Sequence, residues 1–171
     1  MLKVINISPI QQQKIKADEY TFSVEWGEWK PSKILYWRTG DFHKSLIEIG
    51  LEEPSFRLAS ITLALVEHIY QWRPDRPHIS ALDIPQEVGL PICQTNAQLS
   101  NLLFFDEPGL LTLYIGQDAI RIEIGDSKQI SSCIKAKNVS FGLDKDKTLS
   151  VIEITKLSKE NMAFLNNKFK L

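Results

Sequence analysis

With 171 residues, the chain reads as one domain, 1–171, long enough to bury roughly 70% of the unfolded chain's surface without disulfides or a structural metal. Lys and Arg number 20 against 21 Asp and Glu, which removes the electrostatic case for a nucleic-acid binder or a membrane-surface protein. The two cysteines, Cys93 and Cys133, have neither a C-x-x-C spacing nor a dense framework, and this excludes a disulfide scaffold and points to a reducing compartment.

The charge is unevenly spread. Residues 1–125 hold 11 basic and 16 acidic side chains, a net of −5, and residues 126–171 hold 9 basic and 5 acidic, a net of +4. A cationic partner would favour the first part of the chain and an anionic one the tail. Both net charges are small enough that a plain solvated surface is the favoured reading. The opening apolar stretch is interrupted by Asn6 and Pro9 and has no small-residue cleavage site after it, unlike a signal peptide. No segment approaches the roughly 20 apolar residues of a membrane helix. The expectation is a cytoplasmic protein with no membrane contact.

In chain order, residues 2–7 alternate as a first strand, and the Gln-rich residues 10–18 suit a short helix. Residues 20–26 alternate with an aromatic face, 27–32 form a turn and 34–37 a second aromatic strand. Trp26, Trp29 and Trp37 thus fall within twelve positions. One reading pairs Trp26 with Trp37 across a hairpin to close the core. The other takes Trp29 as an exposed anchor, with Glu25, Glu28 and Asp41 beside it as an acidic, partner-binding surface.

Residues 45–66, SLIEIGLEEPSFRLASITLALV, read as a hairpin about Glu52-Glu53-Pro54-Ser55, its second arm running on towards Trp72. A proline-bearing loop follows over 73–80. Residues 79–100 look irregular because Pro85, Gly89 and Pro91 interrupt any long element, and Asp106-Glu107-Pro108-Gly109 signals a turn. Two further hairpins are expected, 110–115 with 119–124 and 139–143 with 148–154, then a helix capped by Ser158 and running to Asn166. The fold class is α+β, predominantly antiparallel β-sheet built from successive hairpins with a short C-terminal helix.

Ile49-Gly50-Leu51-Glu52 with Leu58-Ala59-Ser60-Ile61 is echoed by Phe141-Gly142-Leu143-Asp144 with Leu149-Ser150-Val151-Ile152. Shared hairpin chemistry and internal duplication both account for this echo.

Chemical motifs are absent from the pattern. His43, His68 and His78 are isolated, no Cys has a metal-ligand neighbour, and neither G-x-S-x-G nor a phosphate-binding glycine loop occurs. No catalytic residue, metal site or cofactor is expected. Glu48, Glu123 and Glu153 fall on the polar sides of amphipathic strands, where a solvated sheet face would place them.

The segments SLIEIGLEEPSFRLASITL, DEPGLLTLYIGQDAIRIEIG and VSFGLDKDKTLSVIEITKLS resemble, in texture, small immunity proteins of bacterial contact-dependent or polymorphic toxin systems. The resemblance implies a non-catalytic cytoplasmic protein that binds and neutralises a toxin domain, and it carries no residue roles by position. Two alternatives remain from the residues. One is a small-ligand or enzymatic domain with a pocket near 79–100 holding His78, Cys93 and Gln94; the other is a structural subunit of a larger assembly.

Overall fold

A computed structural model describes residues 1–27, 33–73, 75–94, 103–126 and 129–169. Strands dominate because apolar and polar residues alternate through most of the chain. The first half supplies β1 (Val4–Ser8), β2 (Gln13–Ala17), β3 (Phe22–Trp26), β4 (Ile34–Gly40), β5 (Leu46–Glu52), β6 (Arg57–Leu65) and β7 (His68–Gln71). The second supplies β8 (Gln86–Val88), β9 (Leu90–Cys93), β10 (Phe104–Pro108), β11 (Leu111–Ile115), β12 (Ile120–Ile124), β13 (Ser132–Ala136), β14 (Val139–Leu143), β15 (Leu149–Ile154) and helix α1 (Lys159–Phe169).

These strands form two sheets. The first runs β1-β9-β6-β5-β4-β10, with β3 pairing β6 and β2 outside β3; the second runs β7-β11-β12-β15-β14-β13-β8. One core lies between them. Val24, Ile61, Ile49 and Trp37 from the first sheet meet Ile122, Ile152, Phe141 and Ile134 from the second, and Trp26 reaches across to Phe141 with ring centroids 6.0 Å apart. Ser158 begins α1 by accepting the Asn161 N–H at 3.2 Å, and Met162, Leu165 and Phe169 bury one helix face in this core.

The echo in the sequence is an architectural repeat. Strands β2-β3-β6-β5-β4-β10 and β11-β12-β15-β14-β13-β8 share order and sense, each ending on a parallel edge strand. Ile49 faces Ile61 and Phe141 faces Ile152; one step on, Gly50 faces Ser60 and Gly142 faces Val151. Both ladders then slip at the same place, leaving Ala59 and Ser150 without an opposite residue. By this register Glu25 corresponds to Glu123, Ser23 to Arg121, Thr62 to Glu153 and Tyr36 to Cys133.

The chain passes between sheets at Gly89. With φ at +155°, a Cβ there would lie 2.1 Å from Ile7 Cγ2 and 2.5 Å from the Ser8 carbonyl oxygen, so only glycine fits between β8 and β9.

Several expectations need correction. Residues 13–17 are a strand, because Ile15 packs opposite Val24 on β3 and outweighs the helical preference of Gln and Lys. Residues 106–108 continue β10, where Arg38 grips Asp106 through Nε and Nη2 at 2.6 and 2.7 Å. The second arm of the 45–66 hairpin stops at Leu65, and β7 joins the other sheet beside β11. Residues 86–93, read as irregular, hold β8 and β9. Trp26 and Trp37 do not face each other, since β5 and β6 lie between β3 and β4.

Candidate functional site

The repeat makes two outer sheet faces that can be compared position by position. On the second sheet the face is covered. Residues 75–85 cross it as a strap, and Ile79, fully buried, packs with Cys133 and Val151 while Leu82, Ile84 and Ile130 close around them. Gly142 makes room, since a Cβ there would lie 3.2 Å from Ile79 Cδ1.

Charge holds the strap down. Arg121 and Glu153 are directly opposite on β12 and β15, and their side chains are 5% and 0% exposed. Arg121 Nε donates to Glu153 Oε1 at 2.7 Å, and its Nη2 donates both to that oxygen and, at 2.8 Å, to the Pro77 carbonyl. The Glu153 carboxylate accepts the Ile79 N–H at 3.0 Å on each oxygen. His78 packs against Trp72 with ring centroids 4.6 Å apart and planes tilted by 55°, and lies 3.4 Å from Glu153, and Arg76 pairs with Glu123. Glu123 and Glu153 are therefore buried partners of arginines instead of members of a solvated face. Sequence reasoning missed this cluster because the pairing of β12 with β15 spans some thirty residues and leaves no local signature.

Among the described residues, no segment crosses the outer face of the first sheet. Its floor is small, with Ser23, Gly50 and Ser60 buried between larger neighbours. Around that floor stand Lys16, Glu25, Tyr36, Arg38, Glu48, Phe104 and Asp106. Lys16 Nζ lies 2.5 Å from Glu25, Arg38 bridges Asp106 and, at 3.8 Å, Glu48, and the Arg38 guanidinium covers Phe104 at 4.2 Å. Burial, with the Glu48 and Glu25 charges beside it, pushes the Tyr36 hydroxyl above the ordinary tyrosine range. Hydrogen bonding from Arg38 holds the Asp106 carboxyl below the usual carboxylate range. This is a carboxylate-rich surface with aromatic and arginine side chains set into it.

Of the residues expected to bind a partner, Glu25 belongs to this face. Asp41 does not. Its carboxylate accepts the N–H groups of His43, Lys44 and Ser45 at 3.0, 2.8 and 2.7 Å, and the N–H donors of Lys44, Ser45 and His43 hold its pKa down. Asp41 closes the β4–β5 turn, three strands across and five residues along from Glu25, on the order of 20 Å away. Trp29 and Glu28 lie outside the described residues.

The grouping of His78, Cys93 and Gln94 is not formed. Cys93 is buried in the core between the sheets, whereas His78 lies on the outer side of the second sheet. A cleft of about 1030 Å³ does open beside the strap, lined by Trp72, Arg73, His78, Gln117 and Asn166 among others. Burial pushes the Cys93 thiol up to about 12 and raises Cys133 as well. At pH 8 a thiol of that pKa is ionised in only about one molecule in ten thousand. Both cysteines are also 1% exposed, so the native protein should give no colour with a disulfide-exchange reagent at pH 8, both thiols reacting only in denaturant. Rapid native labelling would contradict the burial of these side chains.

Among the described residues no group of three or more His, Cys, Asp or Glu could hold a metal ion, and no helix is long and apolar enough to cross a membrane. Fold and site together define a two-sheet, mainly antiparallel β protein built on a repeated strand unit, one outer face strapped and the other crossed by no segment among the described residues. Comparison with protein-family models and with curated proteins finds no match in either.

Proposed function

We propose that this chain is a non-catalytic protein-binding module of the immunity type, which meets a toxin domain through the outer face of the first sheet. The observation that carries the reading is the side-chain cluster on the outer face of the first sheet, set against the strapped face of the second. The second is occupied by the chain's own strap, and the first presents Glu25, Glu48 and Asp106 around Tyr36, Arg38 and Phe104. Tyr and Arg are enriched among residues that dominate binding energy, and carboxylates around them favour a basic partner such as a nuclease domain. The net −5 of residues 1–125 acts in the same direction over longer range.

The test is titration calorimetry of the purified protein against the toxin domain encoded beside it, with the Glu25→Lys/Glu48→Lys variant alongside. The expected result is a stoichiometric complex that the variant weakens by about a hundredfold or more, because two charges are reversed. Thermal melting should stay close to the unsubstituted protein, since both side chains are partly exposed. Unchanged affinity in the variant would move the binding surface elsewhere, and the absence of any complex would remove the reading.

A further inference from the structure

Both sheets end in strands with one open side, and most of those edges are guarded. The β2 edge carries Lys14 and Lys16, and the β10 edge carries Asp106, Glu107 and Pro108. The β8 edge is three residues long, and on β1 the Ile7 N–H is taken by Asn6 Oδ1 at 2.9 Å. Such charges, prolines, short lengths and side-chain caps are the devices that keep sheet edges from pairing.

The β7 edge, one residue longer than β8, carries no Lys, Arg, Asp, Glu or proline within the strand and no side-chain cap on an outward N–H among the described residues. Its residues are His68-Ile69-Tyr70-Gln71, it pairs with β11 alone among the described residues, and three of the four side chains are exposed, Tyr70 at 52%. Trp72 N–H donates to the Ile115 carbonyl at 2.9 Å. Backbone groups alternate between the two sides of a strand, so Tyr70 also bonds towards β11, and the N–H and C=O of Ile69 and Gln71 point outward. Tyr70 stacks on Tyr114 at 5.7 Å, and the Arg76 guanidinium lies over that ring at 4.2 Å. The exposed edge is thus already held in shape.

We propose that this edge pairs with the β7 edge of a second copy of the chain, antiparallel about a two-fold axis at Tyr70. The occupant follows from self-complementarity. In that register Ile69 lies opposite Gln71 of the second copy, and the two outward-pointing residues exchange both backbone hydrogen bonds on each side of the axis. Tyr70 meets its own counterpart as the non-hydrogen-bonded pair, an arrangement that suits aromatic contacts. Glu67 falls opposite Arg73 of the second copy, twice. The exposed Glu67 carboxylate pairs with Lys44 at 2.7 Å and its N–H donates to Ser45 Oγ at 3.1 Å, whereas the Arg73 guanidinium makes no hydrogen bond or ion pair among the described residues. The two seven-stranded sheets become one continuous sheet through an isologous contact. The inference concerns a different surface from the outer face of the first sheet and does not depend on the toxin-binding reading.

Sedimentation equilibrium of the full chain over a range of concentrations tests it. The expected result is a monomer–dimer equilibrium. Arg73→Glu alone and Glu67→Arg alone should each weaken the dimer by about tenfold or more, since each turns two facing attractions into repulsions. The double variant Glu67→Arg/Arg73→Glu should restore it. Gln71→Pro removes an outward N–H while leaving the ladder to β11 intact, and should give a folded monomer by circular dichroism. A monomer at every concentration would overturn the proposal, as would a dimer indifferent to the charge exchange, or an edge that binds only a foreign strand.

Discussion

Replacing Glu153 by alanine should cost about 3–5 kcal/mol of stability, the range for removing one partner of a buried ion pair. The carboxylate is fully buried and serves three groups at once. Without it the Arg121 guanidinium keeps its charge in a closed site, the Ile79 N–H loses its acceptor, and the strap loses its central tie to the sheet. Most of the cost comes from the stranded charge. The Arg121→Met/Glu153→Leu double variant should therefore recover much of what Glu153→Ala loses, because it removes both charges while keeping side-chain volume. Urea titration followed by tryptophan fluorescence measures both, and Trp72, with Arg121 over its ring at 4.8 Å, lies beside the change. A Glu153→Ala midpoint equal to that of the unsubstituted protein would show that water or a rearranged strap already satisfies Arg121.

Phe141→Ala should be of similar severity, about 3–5 kcal/mol, from lost burial and the cavity left behind. Phe141 is fully buried at the centre of β14 and is the side chain through which the second sheet touches Trp26 of the first. Its counterpart in the repeat, Ile49, is equally buried but smaller. Ile49→Ala should fall in the somewhat lower range of about 2–5 kcal/mol. Denaturant midpoints for the pair measure how evenly the two halves share one core. A mild Phe141→Ala, below about 1 kcal/mol, would mean that the sheets close on each other without that ring.

Alternation made most of the strands legible. Ile47, Ile49 and Leu51, Ile61 and Leu63, and Ile120, Ile122 and Ile124 each mark one face by residue type alone, and each is buried between the sheets. Sheet membership was not legible in the same way. Nothing local to His68-Ile69-Tyr70-Gln71 says that it leaves β6 to join β11, and nothing in Asp106-Glu107-Pro108 reveals Arg38 waiting on the neighbouring strand. Local propensity misled at Gln13–Ala17 for the same reason, because the gain from pairing with β3 lies outside the segment. At the candidate site, Glu25 could be read from its place on an amphipathic strand. Its neighbours Tyr36 and Glu48 could not, because they arrive from β4 and β5 across β6. The echo of Ile49-Gly50-Leu51 in Phe141-Gly142-Leu143 was the one long-range signal visible in the letters.

Each half of the repeat finishes its sheet with a strand that the other half's path delivers. β10 leads directly into the second unit yet lies along β4, and β7 leaves the first unit to flank β11. The two units are tied together because the residues between β6 and β11 supply strands to both sheets, β7 and β8 to the second and β9 and β10 to the first. Such interleaving couples the halves into a single cooperative transition. It also makes assembly wait on contacts far apart in sequence, which places this chain among the slow folders for its size.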